Sequence, residues 1–353
     1  GKKYGTFPSF AIGWRIHKEK FLNNIQDIDN IKIRAGWGQV GNQNIGTNYP
    51  YLNLIELGHG YVFGPGDGSY AQGVAEISNG NPDLTWETST MANLGLDMGF
   101  FNRINLVMDY FTNKTTDMLL PVELPALNGK AQAPYQNIGI VRSSGFEYNV
   151  DYYLFNSEFE WSISFNGAFL ENEVLDLGGS DLIQGGTKMA NLTDEQPVMR
   201  TVVGKPISSF YGYKMEGIFQ TRAEVDNHAF QQEGTRPGDI KFADLNEDGV
   251  VNDKDRTFLG DGYPDFIYGF SMEGSYKAFD FSMYFDGNSK VRVYNGVNMR
   301  LMNTSINGNK NKDILQYWDG PGSGNKVPRL IYNDPNNNNR ISDYFIEDAS
   351  FFR

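Results

Sequence analysis

Hydrophobic and polar residues alternate with a period of two in several stretches of this chain. The stretches from Ser9 to Ile16 and from Ile31 to Gln39 place large apolar residues at every second position. Successive side chains of a β-strand point to opposite faces, so this pattern predicts strands with one apolar and one polar face. The two stretches are therefore interpreted as half-apolar β-strands.

The same alternation returns in three pairs of stretches, each joined by a short turn. The turns fall at 101–103, at 155–157 and at 277–278. Such pairs predict antiparallel β-hairpins, and with the single strands they give about nine strands in all. The predicted polar face of these strands carries Asp97, Asn105, Asp109, Glu147, Asn149, Asp151, Asn166, Glu273 and Asp280.

The connections between the hairpins are long and polar, at 41–85, 115–141, 171–264 and 287–342. Unstructured loops longer than about 15 residues are uncommon in compact soluble domains. Outer-membrane barrels, in contrast, combine short turns on the periplasmic side with long loops outside the cell. A β-sandwich gives the same alternation, with one face buried and one in water. The contrast between short turns and long connections favours the barrel over the sandwich. The predicted fold is therefore all-β, a segment of an antiparallel transmembrane β-barrel with short periplasmic turns and long extracellular loops.

The composition agrees with a barrel and excludes some other classes. Aromatic residues make up 14% of the chain although hydrophobic residues reach only 40%, as expected for alternating strands with aromatic girdles. No run approaches the roughly 18 apolar residues of a membrane helix. The chain has 0 Cys, which excludes disulfides and thiolate metal sites. A net charge of -13 argues against nonspecific binding to nucleic acid.

One segment, from Asp244 to Asp255, has the spacing of a calcium-binding loop. Calcium prefers six to eight oxygen ligands, and a loop of this kind supplies them at alternate positions around a turn glycine. Gly249 stands at the position of that glycine. The candidate ligands are the side chains of Asp244, Asn246, Asp248, Asn252 and Asp255 and the backbone carbonyl of Val250.

The ending of this loop predicts a weak structural site. Position 12 is Asp255 instead of the usual Glu, and its shorter side chain makes bidentate binding harder, so Mg²⁺ is a second possible ion. The loop segment at 237–263 is expected to lie on the extracellular side, because the short turns are expected to be periplasmic. Its flanks contain no pair of helices that would open on binding. The remaining alternative is a solvated acidic turn without a metal.

Candidate catalytic residues are few. His17, His59 and His228 are far apart in the sequence, in loop-like contexts, and each is expected to be an ordinary surface residue. The many carboxylates identify no glycosidase, because that assignment needs a separation in space. The chain is therefore predicted not to be an enzyme.

Several motifs resemble the C-terminal barrel region of SusC/RagA-type TonB-dependent outer-membrane transporters. They occur in the family's order along nearly the whole chain. The matching segments are FPSFAIGWR at 7–15, IKIRAGWGQ at 31–39 with GNQ at 41–43, NPDLTWE at 81–87, DYF at 109–111, KTTDML at 114–119, NIG at 137–139, GFE at 145–147, GKPI at 204–207, FYGY at 210–213, PGDI at 237–240, DRT at 255–257, PDF at 264–266 and FIEDASF at 345–351.

The resemblance implies a plugged barrel in the cell outer membrane that imports glycans or other large nutrients, such as oligosaccharides or peptides. It also implies energy coupling by TonB, through an N-terminal region absent from this chain, and a SusD-like lipoprotein as surface partner. Barrels with plugged lumens have about 22 strands, so residues 1–353 are expected to be a partial barrel, incomplete at both ends. The alternative is a secreted calcium-stabilised β-rich protein, an adhesin or a carbohydrate-binding module.

Overall fold

The computed structural model describes residues 4–22, 27–44, 49–64, 68–121, 134–155, 159–185, 197–305 and 308–353. Strands predominate in these ranges. The strands are β1 (Ser9–Arg15), β2 (Ile28–Asn42), β3 (Leu54–Leu57), β4 (Tyr61–Phe63), β5 (Ser69–Ala71), β6 (Val74–Ser78), β7 (Glu87–Phe100), β8 (Ile104–Thr116), β9 (Leu119–Pro121), β10 (Tyr135–Asn137), β11 (Ile140–Phe155), β12 (Phe159–Asp176), β13 (Ile183–Gly185), β14 (Met199–Thr201), β15 (Ser209–Tyr213), β16 (Met215–Ile218), β17 (Ile240–Phe242), β18 (Arg256–Gly260), β19 (Phe266–Tyr276), β20 (Phe279–Ser289), β21 (Arg292–Tyr294), β22 (Ile346–Asp348) and β23 (Phe351–Phe352).

The described helices are short. Two are α-helices, α1 (Arg222–Asn227) and α2 (Gly296–Met302). The described 3₁₀ helices are Ile16–Lys18, Asp253–Asp255, Lys312–Gln316 and Asp343–Phe345. Among the described residues, no helix is both long and apolar enough to cross a membrane.

Nine of the strands form one sheet in the order β1-β2-β7-β8-β11-β12-β19-β20-β23. Neighbours in the sheet follow each other along the chain, as expected for a meander of antiparallel hairpins. The three predicted hairpins are confirmed as β7–β8, β11–β12 and β19–β20, and the expected number of strands is confirmed as well. Residues 156–158, which contain most of the second predicted turn, lie outside the described residues.

The other two turns have the backbone conformation that tight hairpins require. Phe101 and Asn102 have φ angles of 58° and 52°, and Lys277 has a φ angle of 56°. Positive φ angles in a short connection give a twist that matches the right-handed twist of the strands. Asn tolerates this conformation better than most residues, whereas Phe101 and Lys277 adopt it without that advantage. The residue types at these positions therefore predict the turns only weakly.

The register confirms the predicted separation of apolar and polar faces. One apolar row crosses six strands, through Ile12, Ala35, Leu94, Tyr110, Phe146 and Phe169 in neighbouring positions. The next row crosses the same strands on the opposite face, through Gly13, Arg34, Gly95, Asp109, Glu147 and Ala168. In the apolar row Ile12 is 70% exposed and Leu94 is 58% exposed. Within the described residues, the sheet thus presents a wide apolar face that is largely exposed.

The chain divides into two compact units, one of residues 1–181 with 268–285 and one of residues 182–267 with 286–353. The second unit contains a four-stranded sheet in the order β13-β14-β15-β18 and the pairs β16–β17 and β21–β22. A buried cluster of Tyr213, Ile240, Phe242 and Val251 forms part of its core. Two connections that the sequence shows only as long and polar, 171–264 and 287–342, therefore supply most of a folded unit.

A buried polar network joins these two connections. Arg329 donates from Nε and Nη2 to the two carboxylate oxygens of Asp239, at 2.9 and 3.0 Å. Asn336 donates to the carbonyl oxygen of Ile240 at 3.0 Å, and Asn338 accepts from the backbone nitrogen of Ile240 at 2.7 Å. Because buried polar groups are costly unless hydrogen-bonded, these matched pairs fix the arrangement of the unit.

Candidate functional site

The candidate calcium loop leaves the core of the second unit directly after β17. Ile240 and Phe242 are fully buried, and Asp244 follows them as a half-buried residue. The loop ends in the 3₁₀ turn Asp253–Asp255, which leads into β18. β17 (Ile240–Phe242) runs directly into the start of the loop. The structure therefore holds both ends of the loop in regular elements of one unit.

Hydrogen bonds to the side chains of alternate residues wind the loop tightly. Asp244 accepts from the backbone nitrogen of Gly249 at 2.9 Å, and Asn246 accepts from that of Asp248 at 2.9 Å. Asp248 in turn accepts from the backbone nitrogen of Val250 at 3.0 Å. Such short-range bonds from Asp and Asn stabilise turns in place of helix or sheet. The first half of the predicted ligand set thus forms a regular series of turns.

Gly249 adopts the left-handed backbone conformation of a turn glycine. Its φ angle is +85°, and an added Cβ would meet nothing within 4 Å. The backbone conformation, and not a lack of space, therefore favours glycine at this position.

Asp255 closes the loop. Its side chain is fully buried, and its Oδ1 atom accepts from the backbone nitrogens of Leu245 and Asn246 at 2.9 and 3.3 Å. Its Oδ2 atom accepts from the backbone nitrogen of Asn252 at 2.8 Å. A carboxylate that bonds to both ends of the loop holds those ends together whether or not a metal is bound.

The donor set fits a calcium ion in part. The Oδ1 atom of Asp244 is buried without a hydrogen-bond partner, and such an orphaned oxygen is open to a cation. Within the described residues, however, no group of three or more His, Cys, Asp and Glu side chains converges as metal ligands. Asn252 donates to the carbonyl oxygen of Val250 at 3.0 Å, so these two predicted ligands bond to each other. The loop is wound by side-chain turns, but its carboxylates are not gathered at one point.

The middle of the loop is hydrogen-bonded to another segment of the second unit. Phe230 donates to the carbonyl oxygen of Gly249 and accepts from the nitrogen of Val251, both at 2.8 Å. Val251 belongs to the buried cluster with Tyr213, whose hydroxyl donates to Asp253 at 3.1 Å. Burial, as the largest cause, raises the pKa of Tyr213 to about 12.

A series of arginines stacked on aromatic rings extends from this cluster and has no signal in the sequence. Arg340 is buried, with its guanidinium 4.8 Å from the ring of Tyr213 and 4.7 Å from the ring of Phe242. Arg256 lies 5.3 Å from Tyr211 and 5.8 Å from Tyr213. Cations over aromatic faces are stabilised by the ring quadrupole, most strongly where water is excluded. These contacts join residues that are far apart along the chain.

The three histidines occupy separate places. The Nδ1 atom of His17 lies 3.1 Å from the backbone nitrogen of Ile31. His59 lies 3.0 Å from Glu56, and the Nδ1 atom of His228 lies 2.9 Å from the carbonyl oxygen of Ala229. Each is thus paired within its own neighbourhood. The expectation of an ordinary surface residue holds for His59, whose side chain is 50% exposed, but not for His228, whose side chain is 12% exposed because it packs beside Glu216.

The polar face of the large sheet carries a charged cluster on β2, β7 and β8. Arg34 donates from Nε to both oxygens of Asp97, at 2.8 and 3.0 Å, and from Nη2 to Asp109 at 2.7 Å. Lys32 adds a longer ion pair to Asp97 at 3.8 Å. Charged groups in these numbers belong on a face in contact with water, whereas the opposite face exposes rows of apolar side chains.

Comparisons with known proteins agree with a sheet that has one apolar and one polar face. A family model described as TonB dependent receptor-like, beta-barrel, covers residues 2–351. TonB-dependent receptor P3 of Formosa agariphila is 33% identical over 354 residues, which are 99% of this chain and 34% of that relative. TonB-dependent receptor SusC of Bacteroides thetaiotaomicron is 30% identical over 359 residues, 99% of this chain and 33% of SusC.

A solved structure has the same fold. It is described as the RagAB peptide transporter, with a TM-score of 0.75, 22% identity, and coverage of 98% of this chain and 36% of the matched chain. The chain thus spans about a third of the length of the proteins that it matches. The matches confirm the resemblance to SusC/RagA-type transporters, and they confirm the prediction that the chain is not an enzyme, because the members of this family are transporters. With a family model that covers nearly its whole length, the chain belongs to the TonB-dependent receptor β-barrel family of outer-membrane proteins.

Proposed function

We propose that the full-length protein is a TonB-dependent importer of glycans or other large nutrients across the outer membrane, and that this chain supplies part of its barrel wall. The observation that carries the proposal is the pair of opposite rows on the large sheet. An apolar row through Leu94 and Tyr110 suits a hydrocarbon surface, and the neighbouring polar row through Arg34 and Asp109 suits a wet lumen.

A SusD-like lipoprotein is the proposed partner, and a segment that we call the hairpin arm supports it. The arm consists of β3 paired with β6 and β4 paired with β5. Its large apolar side chains are exposed, and Ile55, Leu57 and Tyr61 are 67%, 71% and 68% exposed. An isolated two-stranded ribbon is at best marginally stable in water, and contiguous exposed apolar groups are typical of interaction surfaces.

TonB is proposed to couple energy to import, through a part of the full-length protein outside this chain. The substrate class stays open between oligosaccharides and peptides. Family membership favours this import function over the alternative of a secreted adhesin or carbohydrate-binding module.

Calcium is proposed as a structural ion of the loop, in line with the spacing of Asp244, Asn246, Asp248, Val250, Asn252 and Asp255. Three observations support it: the series of side-chain turns, the positive φ angle of Gly249 and the unpartnered Oδ1 atom of Asp244. The ion would neutralise part of the negative charge of the loop, and Mg²⁺ would bind less well because it demands stricter octahedral geometry.

Growth of a deletion strain tests the import function. The gene of the full-length protein is deleted, and growth is compared with that of the parent strain on single polysaccharides and on peptides as nutrient sources. We expect slower growth on one class of large nutrient, with normal growth on its monomers, which diffuse through porins. Complementation should restore growth only when TonB is present. Unchanged growth on every large nutrient, or rescue without TonB, would contradict the proposal.

A further inference from the structure

The apolar face of the large sheet ends in a row of polar and charged side chains, which we call the edge row. On each of five strands this row lies four residues from the apolar row, so both rows share one face. Its members are neighbours in register, and they are Gln39, Thr90, Lys114, Arg142 and Glu173. All of them belong to the first unit.

The edge row lies at the extracellular end of the strands. Lys114 is near the end of β8 and Arg142 is near the start of β11, so both flank the long connection between these strands. Outer-membrane barrels place their long connections outside the cell and their short turns in the periplasm. The other end of β8 meets such a short turn, at 101–103.

The spacing along β8 places the edge row at the upper limit of the apolar band. Lys114 is ten residues from Ile104, where β8 begins beside the short turn. At about 3.3 Å per residue and a strand tilt of about 40°, this stretch rises by about 25 Å. The outward apolar band of outer-membrane barrels is about 25 Å tall. Lys114 and its neighbour Arg142 therefore lie where the acyl chains of the membrane end and the headgroups begin.

Two cations stand side by side in the edge row. Lys114 and Arg142 are direct register partners, and like charges in that position repel each other. Arg142 donates from Nη2 to Glu173 on its other side, whereas no carboxylate of the described residues lies within ion-pair distance of Lys114. A guanidinium has five N–H donors, so Arg142 keeps donors for a second acceptor. An anion between Lys114 and Arg142 would relieve their repulsion.

The acidic residues of this edge lie on one side of the two cations. Glu171 and Glu173 both belong to β12. On the other side, Lys114 has the hydroxyls of Thr90, its register partner on β7, and of Thr112, the preceding residue of β8 on the same face. The surface over β8 is thus positively charged and carries hydrogen-bonding groups.

We propose that Lys114 and Arg142 bind a phosphate group of the glycolipid that forms the outer leaflet of the outer membrane. Arginine binds phosphate through paired N–H donors, and lysine adds a point charge. The acyl chains of the same lipid would cover Tyr110 and Phe146, which lie below on the same face and are 55% and 38% exposed. This lipid site is independent of the proposed import function, since it lies on the face opposite the lumen.

Native mass spectrometry of the full-length protein in detergent tests the proposal. The protein is mixed with equal amounts of monophosphoryl lipid A and of the same lipid without its phosphate, and the two bound populations are compared. We expect the phosphorylated lipid to bind about tenfold more tightly, which corresponds to about 1.4 kcal/mol. Equal binding of the two lipids would overturn the proposal.

Variants assign the preference for phosphate to the edge row. Lys114→Gln should weaken the preference, and Lys114→Gln combined with Arg142→Gln should abolish it. The single variant keeps the pair of Arg142 with Glu173, so it tests the site even where the double variant does not fold, and circular dichroism shows which variants are folded. Arg103→Gln is the matched control, because it removes an exposed cation at the other end of the same hairpin. An unchanged preference in folded Lys114→Gln, or an equal loss in Arg103→Gln, overturns the site.

Phosphatidylglycerol distinguishes the outer-leaflet glycolipid from a phospholipid as the source of the phosphate. It carries a phosphate but fewer acyl chains than lipid A, so it covers less of the apolar surface below the edge row. Added at the same concentration, it should displace only a minor part of the bound lipid A. Displacement as complete as that by lipid A itself would assign the site to phospholipid and overturn the proposal.

Discussion

Arg34 binds Asp109 across an intervening strand, with its Nη2 atom 2.7 Å from a carboxylate oxygen. Arg34 lies on β2 and Asp109 on β8, and Gly95 of β7 occupies the register position between them. An added Cβ at Gly95 would lie 2.4 Å from Asp109 and 2.7 Å from the guanidinium of Arg34. The missing side chain of the middle strand is what allows this ion pair.

Gly95→Val is therefore expected to break the pair and to lower the thermal stability of the full-length protein in detergent. A side chain at position 95 forces the guanidinium off Asp109 and leaves that carboxylate without its cation. The loss should be about 2 kcal/mol, since hydrogen bonds to charged groups contribute in that range. Gly320→Ala is the control, because an added Cβ there meets nothing within 4 Å. Equal melting temperatures of Gly95→Val and the parent protein would show that the pair contributes nothing.

Calcium is expected to raise the melting temperature of the full-length protein, and Asp244→Ala with Asp248→Ala is expected to abolish the increase. Ligand binding to the native state alone stabilises it in proportion to the logarithm of ligand concentration. Because sites of this kind outside cells have dissociation constants of about 10⁻⁴ to 10⁻³ M, millimolar calcium is needed. The measurement is a thermal melt with calcium and with a chelator.

Glu247→Gln provides the matched control for the calcium experiment. Glu247 lies in the same loop and is exposed, but it is not a candidate ligand. The variant removes one negative charge, so it tests whether charge alone explains the effect. It should keep the calcium-dependent increase. The absence of any increase in the parent protein would refute the calcium assignment.

Asp343→Asn is expected to raise the melting temperature at neutral pH. Burial, as the largest cause, raises the pKa of Asp343 above its usual value, although its side chain accepts from the backbone nitrogen of Met215 at 2.7 Å. A carboxyl group with a raised pKa in the folded state stabilises the fold fully below the pKa of the unfolded chain, and this contribution is lost as the pH rises through the folded pKa. Asparagine retains the acceptor oxygen without the charge.

The pH dependence distinguishes this cause from a general effect of charge. The difference in melting temperature between Asp343→Asn and the parent protein should grow as the pH rises above the usual range for Asp. The exposed Asp319 provides the control, because Asp319→Asn should show a much smaller difference. A difference for Asp343→Asn that is the same at acidic and neutral pH would contradict the assigned cause.

The large sheet could be predicted from the sequence because its signal is local. Alternation along single strands, as from Leu94 to Met98, gives the faces, and short turns give the order of neighbours. The second unit could not be predicted in this way. Its arrangement depends on pairs such as Arg329 with Asp239 and Arg340 with Tyr213, whose partners are distant in the sequence. In the candidate calcium loop, the spacing of Asp and Asn residues predicts the turns. It does not show that the carboxylate of Asp255 accepts hydrogen bonds from backbone nitrogens of the loop.

The hairpin arm provides the last prediction, which concerns the partner. Ile55→Ser with Leu57→Ser should reduce co-purification of a SusD-like lipoprotein with the full-length protein about tenfold, since both side chains are largely exposed and apolar. The melting temperature without the partner should not fall, because neither side chain belongs to a core. The measurement compares the amount of lipoprotein that is retained on the tagged, purified protein.

A second pair of substitutions tests whether the loss of lipoprotein is specific to the hairpin arm or follows from the loss of any exposed apolar side chains. Val297→Ser with Leu315→Ser is matched in chemistry, because these residues are 70% and 71% exposed in the second unit, close to the 67% and 71% of Ile55 and Leu57. This control should retain the lipoprotein. If both double variants lose it equally, the arm has no special part in docking, because any loss of exposed apolar area then has the same effect. If the arm variant retains it fully, the partner binds elsewhere.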